Sequence, residues 1–205
     1  AKIREVFDMK RSKGEYIGGF GPYGYIRNPE NKHQLVVDPE AADVVKDIFQ
    51  KYLGGMSKIG IVHYLNEHGV LCPSLYKKEK LGLKYCNPHV DSGMEEGKPI
   101  LWSVVSINNI LNNRVYCGDM VQGRQRVKSY KIHIQERIPE DEWFIVENTH
   151  EAIINRETFE KVQTLLNRNT RTKPGARKVY LFSGFLRCGD CGKGIVRSEM
   201  RGYVY

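Results

Sequence analysis

Apolar residues recur at helical spacing in several stretches of the chain, with short extended runs between them. Val44, Val45, Ile48, Phe49, Tyr52 and Leu53 mark one face of a helix that Asp38 caps, Pro39 opens, Glu40 favours electrostatically and Gly54-Gly55 stops. Ser57 caps a second helix at 58–68, with Ile61, Val62 and Leu65 inward and Gly69 just past its end. Ser103 caps a third at 103–113, with Val104, Ile107, Ile110 and Leu111 inward. Asn155 caps a fourth, in which Phe159, Val162, Leu165 and Leu166 share a face. A weaker spacing at Ile3, Val6 and Phe7 suggests that residues 1–16 hold the end of a longer helix.

Between these helices the pattern changes. Residues 17–27 (IGGFGPYGYIR) and 33–37 (HQLVV) predict a hairpin, because four glycines within eight residues are too permissive for a helix interior. Tyr23 and Tyr25 in this stretch could reach phosphates, but tyrosines in a Gly-rich hairpin are more often core. Residues 72–99 have no clean period and carry three prolines, the pattern of a long solvated insertion. After Asn112-Asn113 the runs VYCGDMVQG, KSYKIHIQERI and EWFIVE alternate and are rich in β-branched residues, which predicts a small antiparallel sheet. Residues 167–178 hold five cations, no acid and a Pro-Gly pair, the composition of a basic linker. The expected class is α+β.

Charge narrows the partners. Thirty-two Lys and Arg against 24 Asp and Glu leave a formal charge of +8 among 205 residues, favouring a polyanion through counterion release. Charge alone does not choose between DNA, RNA and an anionic membrane surface. The apolar runs are far shorter than the ~20 residues that span a bilayer. No basic-then-apolar segment opens the sequence, so a cytoplasmic location and no membrane partner are expected. Five cysteines in such a chain are expected to be reduced thiols.

The most specific local motif is CGDCGKG at 188–194. Cys188 and Cys191 have the spacing of two ligands on one tetrahedral zinc, the glycines letting backbone amides turn toward the sulfurs. A redox pair is the alternative, although no thioredoxin-like pattern surrounds it. A closed site needs four ligands and no second CxxC follows, so the pair is half a zinc site. Cys86 and His89, with Cys72 upstream, also have ligand spacing but are more simply unrelated loop residues. His150 beside Glu151 lacks the second histidine of a zinc protease and reads as a hydrogen-bonded turn residue. No nucleophile elbow, phosphate loop or acidic metal cluster appears, so no catalytic residue is assigned.

The helices at 58–68 and 103–113 have the ingredients of a helix-turn-helix with an insertion in place of its turn. Opposite the apolar side of the second lie Val105, Ser106, Asn109 and Asn113, beside the capping Ser103. Asn can bond an adenine edge in a bidentate way, Ser both donates and accepts, and Val can touch a thymine methyl. An ordinary solvated face would look the same, but flanking cations favour DNA. These are Lys10, Arg11 and Lys13, then Arg114, then Arg124, Arg126 and Lys128. A last group, Arg168, Arg171, Lys173, Arg177 and Lys178, lies in the basic linker.

Several motifs in order resemble the recombinase domain of large serine recombinases. They are GGFGPYGY at 18–25, DPEAADVVKDIF, GGMSKIGIVHYLNEHGV, Trp102 through Leu111, Asn113, Tyr116 and Gly118, and HEAIINRETFEKVQ. SGFLRCGDCGKG is similar to the start of the zinc ribbon that follows in that family. The resemblance implies a linker-helix end at 1–16, a DNA-binding domain at 17–166, a basic linker at 167–180 and an incomplete ribbon at 181–205. It also implies a partner in double-stranded DNA at the attachment sites of a mobile element, whose integration or excision the enzyme performs. The intact enzyme would be a dimer on DNA, a tetramer in synapsis and a zinc protein. This chain would be a monomeric, non-catalytic piece with little or no zinc. The rival expectations are a stand-alone helix-turn-helix regulator, a metal-dependent nuclease and a purely structural module.

Overall fold

The computed structural model describes residues 2–84, 100–127, 134–167, 182, 185–195, 199–200 and 203–204. Cys86, His89, Lys128, Arg168, Arg171, Lys173, Arg177 and Lys178 lie outside the described residues. The chain divides into two compact units, residues 1–162 and 163–205, and the α+β class is observed.

The first unit opens with helix α1 (Lys2–Ser12), followed by an antiparallel hairpin of β1 (Tyr25–Arg27) and β2 (Leu35–Val37). Tyr25 pairs with Val37, and Tyr25 and Leu35 turn into the core. The chain then enters α2 (Pro39–Leu53), whose Val45, Ile48 and Phe49 are fully buried. Asp38 stands at the cap position in extended conformation, but its side chain makes no cap. Its Oδ2 instead accepts from the Tyr76 hydroxyl at 2.9 Å. A carboxylate this buried needs a partner, and the phenol supplies one.

Helix α3 (Lys58–Glu67) is capped as expected, Ser57 Oγ accepting from the Gly60 N–H at 3.1 Å. Beyond it the expected irregular insertion is partly helical: α4 (Pro73–Leu75) runs into a π turn at Tyr76–Lys80. Tyr76 is buried edge-on against Tyr23 at 5.3 Å, and Tyr23 is edge-on to Trp102 at 5.4 Å. Asn66 holds the returning chain by a reciprocal pair: its Oδ1 accepts from Trp102 N–H at 2.9 Å and its Nδ2 donates to Trp102 O at 3.3 Å. The Trp102 indole donates to Val70 O at 2.9 Å. The segment is thus pinned at its base by α3 itself. One buried tyrosine in eight residues leaves no period to detect.

Helix α5 (Val104–Leu111) packs on α2 and α3 through Ile107, Ile110 and Leu111. Val104 was expected inward, yet it is 41% exposed. It is the first helical residue, where the stripe has run past its neighbours. The chain next forms a 3-10 turn at Arg114–Cys117, where an extended run was expected, burying Val115, Tyr116 and Cys117. Asn113 Oδ1 accepts from Val115 N–H at 3.3 Å, and Gly118 leaves the turn at φ +88°. A Cβ there would lie 2.9 Å from His150 O, so the position favours glycine twice over.

The expected sheet is a set of two-stranded pieces. Strand β3 (Met120–Gln122) pairs with β6 (Phe144–Val146), and β4 (Gln125–Val127) pairs with β5 (Gln135–Arg137) between them. Helix α6 (Arg156–Leu166) follows, with Asn155 Oδ1 accepting from Thr158 N–H at 2.8 Å and Phe159 and Val162 buried. In the second unit, β7 (Glu199–Met200) pairs with β8 (Tyr203–Val204). Among the described residues no helix is long and apolar enough to cross a membrane.

Truncating Leu111 or Ile107 to Ala should therefore cost about 2–5 kcal/mol. Val104→Ala should stay within about 0.5 kcal/mol of wild type, as for other exposed positions. Urea denaturation of the three variants checks this, and an equal cost at Val104 would contradict the observed face.

Candidate nucleic-acid interface

The outward residues of α5 divide by what already engages them. Ser103 Oγ accepts from Ser106 N–H at 3.2 Å and lies 3.0 Å from Ser106 Oγ. Asn113 caps the following turn. Asn108, between the faces, accepts from Lys58 Nζ at 2.6 Å and so ties α3 to α5. Val105 is 67% exposed, and Asn109 is exposed with no hydrogen bond to its side chain among the described residues. Val105 and Asn109 therefore form the open part of the helix, at positions i and i+4, with the Ser106 hydroxyl beside them bonded to Ser103. Lys58 was not anticipated: its partner lies fifty residues away, and no local pattern signals it.

The described candidate cations are engaged in different ways, three of them (Arg11, Arg114 and Arg126) by carboxylates. Lys10 Nζ lies 2.9 Å from His33 Nε2, and Arg11 pairs with Asp8 at 2.7 Å. Lys13 lines a polar cavity of about 480 Å³ with His33, Glu147 and Thr149. The Arg124 guanidinium lies over the Trp143 ring at 5.2 Å, and Arg126 pairs with Glu136 at 3.3 Å. Arg114 donates to Asp119 Oδ2 at 3.1 Å.

Asp119 is the centre of the strongest charge cluster. Its side chain is fully buried and receives a bidentate fork from Arg156, at 3.0 and 2.7 Å, besides the bond from Arg114. Glu147 approaches both guanidiniums, at 3.7 and 3.9 Å. The Asp119 carboxylate in turn holds the Arg156 guanidinium firmly in its charged form. Arg114 thus sits in a structural cluster, and sequence reading missed both Arg156 and Asp119.

His150 is held as the expected turn residue. Its Nε2 faces the Val115 carbonyl at 2.8 Å, so that nitrogen carries the proton, and Nδ1 accepts from Thr149 Oγ1 at 2.8 Å. The ring also stands edge-on to Tyr25 at 4.9 Å.

The cysteine pair sits in a tight turn of the second unit. Cys188 N–H donates to Lys193 O at 2.8 Å, Gly192 N–H donates to Cys188 O at 2.9 Å, and Gly192 has φ +66°. Backbone N–H groups of Cys191 and Asp190 pull the Cys188 thiol below its usual value. That is the environment of a thiolate ligand. Two sulfurs fit half of a tetrahedral zinc set. Among the described residues no cluster of three or more His, Cys, Asp or Glu side chains could hold a metal.

Residues 39–169 match the family model described as Recombinase. The uncharacterized protein YefB of Bacillus subtilis (strain 168) is 33% identical over 104 residues, 50% of this chain and 34% of that protein. The chain thus spans about a third of that relative. Two solved structures share the fold. A crystal structure of an LSR–DNA complex has a TM-score of 0.55 at 20% identity, covering 100% of this chain and 51% of the other. A structure concerning the sequence requirements of the Listeria innocua prophage attP site has a TM-score of 0.51 at 21% identity, covering 98% and 68%.

Burial pushes His150 below its ordinary 6.5, against the opposing pulls of Val115 O and Asp119. The fold therefore holds this proton less readily than the unfolded chain does. The neutral ring's contribution to stability is complete above about pH 6.5 and fades as pH falls toward the depressed folded value. Wild type should lose stability relative to His150→Gln as unfolding is followed from neutral pH down to about pH 5. Parallel pH profiles for the two proteins would contradict this.

Proposed function

Because the chain belongs to the Recombinase family, we propose that it binds duplex DNA at recombination sites as the DNA-binding part of a site-specific serine recombinase. The observation that carries this reading is the outward face of α5, where Val105 and Asn109 are exposed and uncommitted to the fold and the Ser106 hydroxyl is bonded only to the neighbouring Ser103. Helix α3, tied to α5 by Lys58 and Asn108, acts as the supporting helix. Phosphate contacts set position, and the open face of α5 reads base edges in the major groove.

In this proposal the chain supplies recognition and not chemistry. Strand cleavage belongs to a serine elsewhere in the enzyme, which acts in integration or excision of a mobile element. The intact protein works as a dimer on DNA and a tetramer in synapsis. In the intact protein, Cys188 and Cys191 supply two of the four ligands of a zinc site. Zinc there is structural, closing a small module whose core is too slight to fold alone.

Fluorescence anisotropy tests the reading with two duplexes, one enriched by the chain from a random-sequence library and one scrambled. Asn109→Ala should leave thermal stability unchanged and cost about 1–3 kcal/mol on the enriched duplex, with much less on the scrambled one. Wild-type affinity should fall by roughly 10³ between about 50 and 200 mM salt if some six phosphates are neutralised. Equal losses on both duplexes would make α5 a backbone clamp. A flat salt response would contradict the electrostatic part.

A further inference from the structure

The ribbon formed by β4 and β5 has two unlike faces. Gln125 pairs with Arg137, Arg126 with Glu136 and Val127 with Gln135, so successive side chains alternate between opposite sides. On one side Arg126 and Glu136 neutralise each other, Nε to Oε2 at 3.3 Å. On the other stand Gln125, Val127, Gln135 and Arg137, all exposed. Among the described residues no hydrogen bond or ion pair engages their side chains.

A two-stranded ribbon exposed on both faces is at best marginally stable in water. This one is fixed at its base. Ile138 N–H donates to Arg124 O at 3.0 Å, the Trp143 indole donates to Ile138 O at 2.8 Å, and Arg124 covers the Trp143 ring. Beyond that base all six strand residues are exposed. Residues 124–137 carry five cations and one acid, half of the chain's net charge of +8. An anchored, cationic ribbon with one neutralised face and one open face is shaped for a polyanion on the open side.

We propose that the β4–β5 ribbon is a second duplex-DNA element, which enters the major groove with Gln125, Val127, Gln135 and Arg137 toward the bases and the Arg126–Glu136 pair turned away. The inference rests on the duplex-binding reading above. The B-form major groove, roughly 12 Å wide, admits a two-stranded ribbon, whereas the A-form groove of duplex RNA is too deep and narrow. The four open side chains match base edges: Gln bonds adenine N6 and N7, Arg bonds guanine O6 and N7, and Val meets a thymine methyl. Arg126, held by Glu136, adds little to this contact.

The test uses the full chain with the enriched and scrambled duplexes, measuring affinity and nuclease footprint. Gln125→Ala combined with Arg137→Ala should lose roughly ten- to a hundredfold on the enriched duplex and far less on the scrambled one. Its footprint should shorten at one place while the rest persists. Arg126→Ala combined with Glu136→Ala should bind both duplexes within about twofold of wild type. Gln135→Ala, a single change at an exposed site, guards against a folding artefact and should show the same selective loss in smaller measure. Equal losses on both duplexes, a larger loss from the Arg126 and Glu136 variant, or unchanged binding throughout would overturn the ribbon assignment while wild-type binding left the duplex reading standing. Wild-type chain that binds neither duplex would overturn both.

Discussion

A buried carboxylate fixes the part of the chain that follows α5. Asp119 has no solvent exposure and is held by Arg156 from the start of α6 and by Arg114 from the 3-10 turn. An ionised group in that position is tolerable only because the fork and the third bond satisfy its oxygens. Leaving such a charge unpaired typically costs about 3–5 kcal/mol. The cluster locks the 3-10 turn against α6, and the turn delivers Tyr116 to the core. There Tyr116 stacks on Tyr25 at 6.1 Å, meets Phe49 at 6.3 Å and donates to Tyr23 O at 2.9 Å. Asn112 and Asn113 alone separate the end of α5 from that turn.

Much of this was legible in the sequence, and the reasons for the rest are physical. Ser57, Ser103 and Asn155 cap as their local patterns predict, because a cap needs a partner only three residues away. The core stripe of α5 was legible except at Val104, where a wheel cannot say how far the neighbouring helices extend. Asp38 had the sequence of a cap but bonds Tyr76, 38 residues on. The 3-10 turn was read as extended because Val, Tyr and Cys suit either backbone, and only the buried environment decides. At the site, Val105, Ser106 and Asn109 could be found from spacing. That Arg114 and Arg126 are paired could not, since their carboxylates come from other strands and turns.

The distribution of charge follows from these pairings. Arg11 and Arg126 are each matched by a carboxylate, and Arg114 and Arg156 share Asp119. The described residues hold 22 Lys and Arg against 21 Asp and Glu, so most of the net charge of +8 belongs to the other residues of the sequence. What remains on α5 and on the open ribbon face is mostly neutral and hydrogen-bonding: Ser, Asn and Gln, with Val and a single Arg. Such side chains discriminate bases more than they attract phosphates. Affinity and specificity would then come from different parts of the chain.

In the proposed complex α5 lies in the major groove with Asn109 against the bases. Disulfide trapping tests it most directly, using Asn109→Cys and enriched duplexes that carry a tethered thiol on cytosine N4, in the major groove, or on guanine N2, in the minor groove. The wild-type chain, whose Cys191 is exposed, serves as the control. A cross-link above that control is expected from the N4 tether within a narrow register, and none from N2. Trapping from N2, or from neither tether in any register, would contradict this placement.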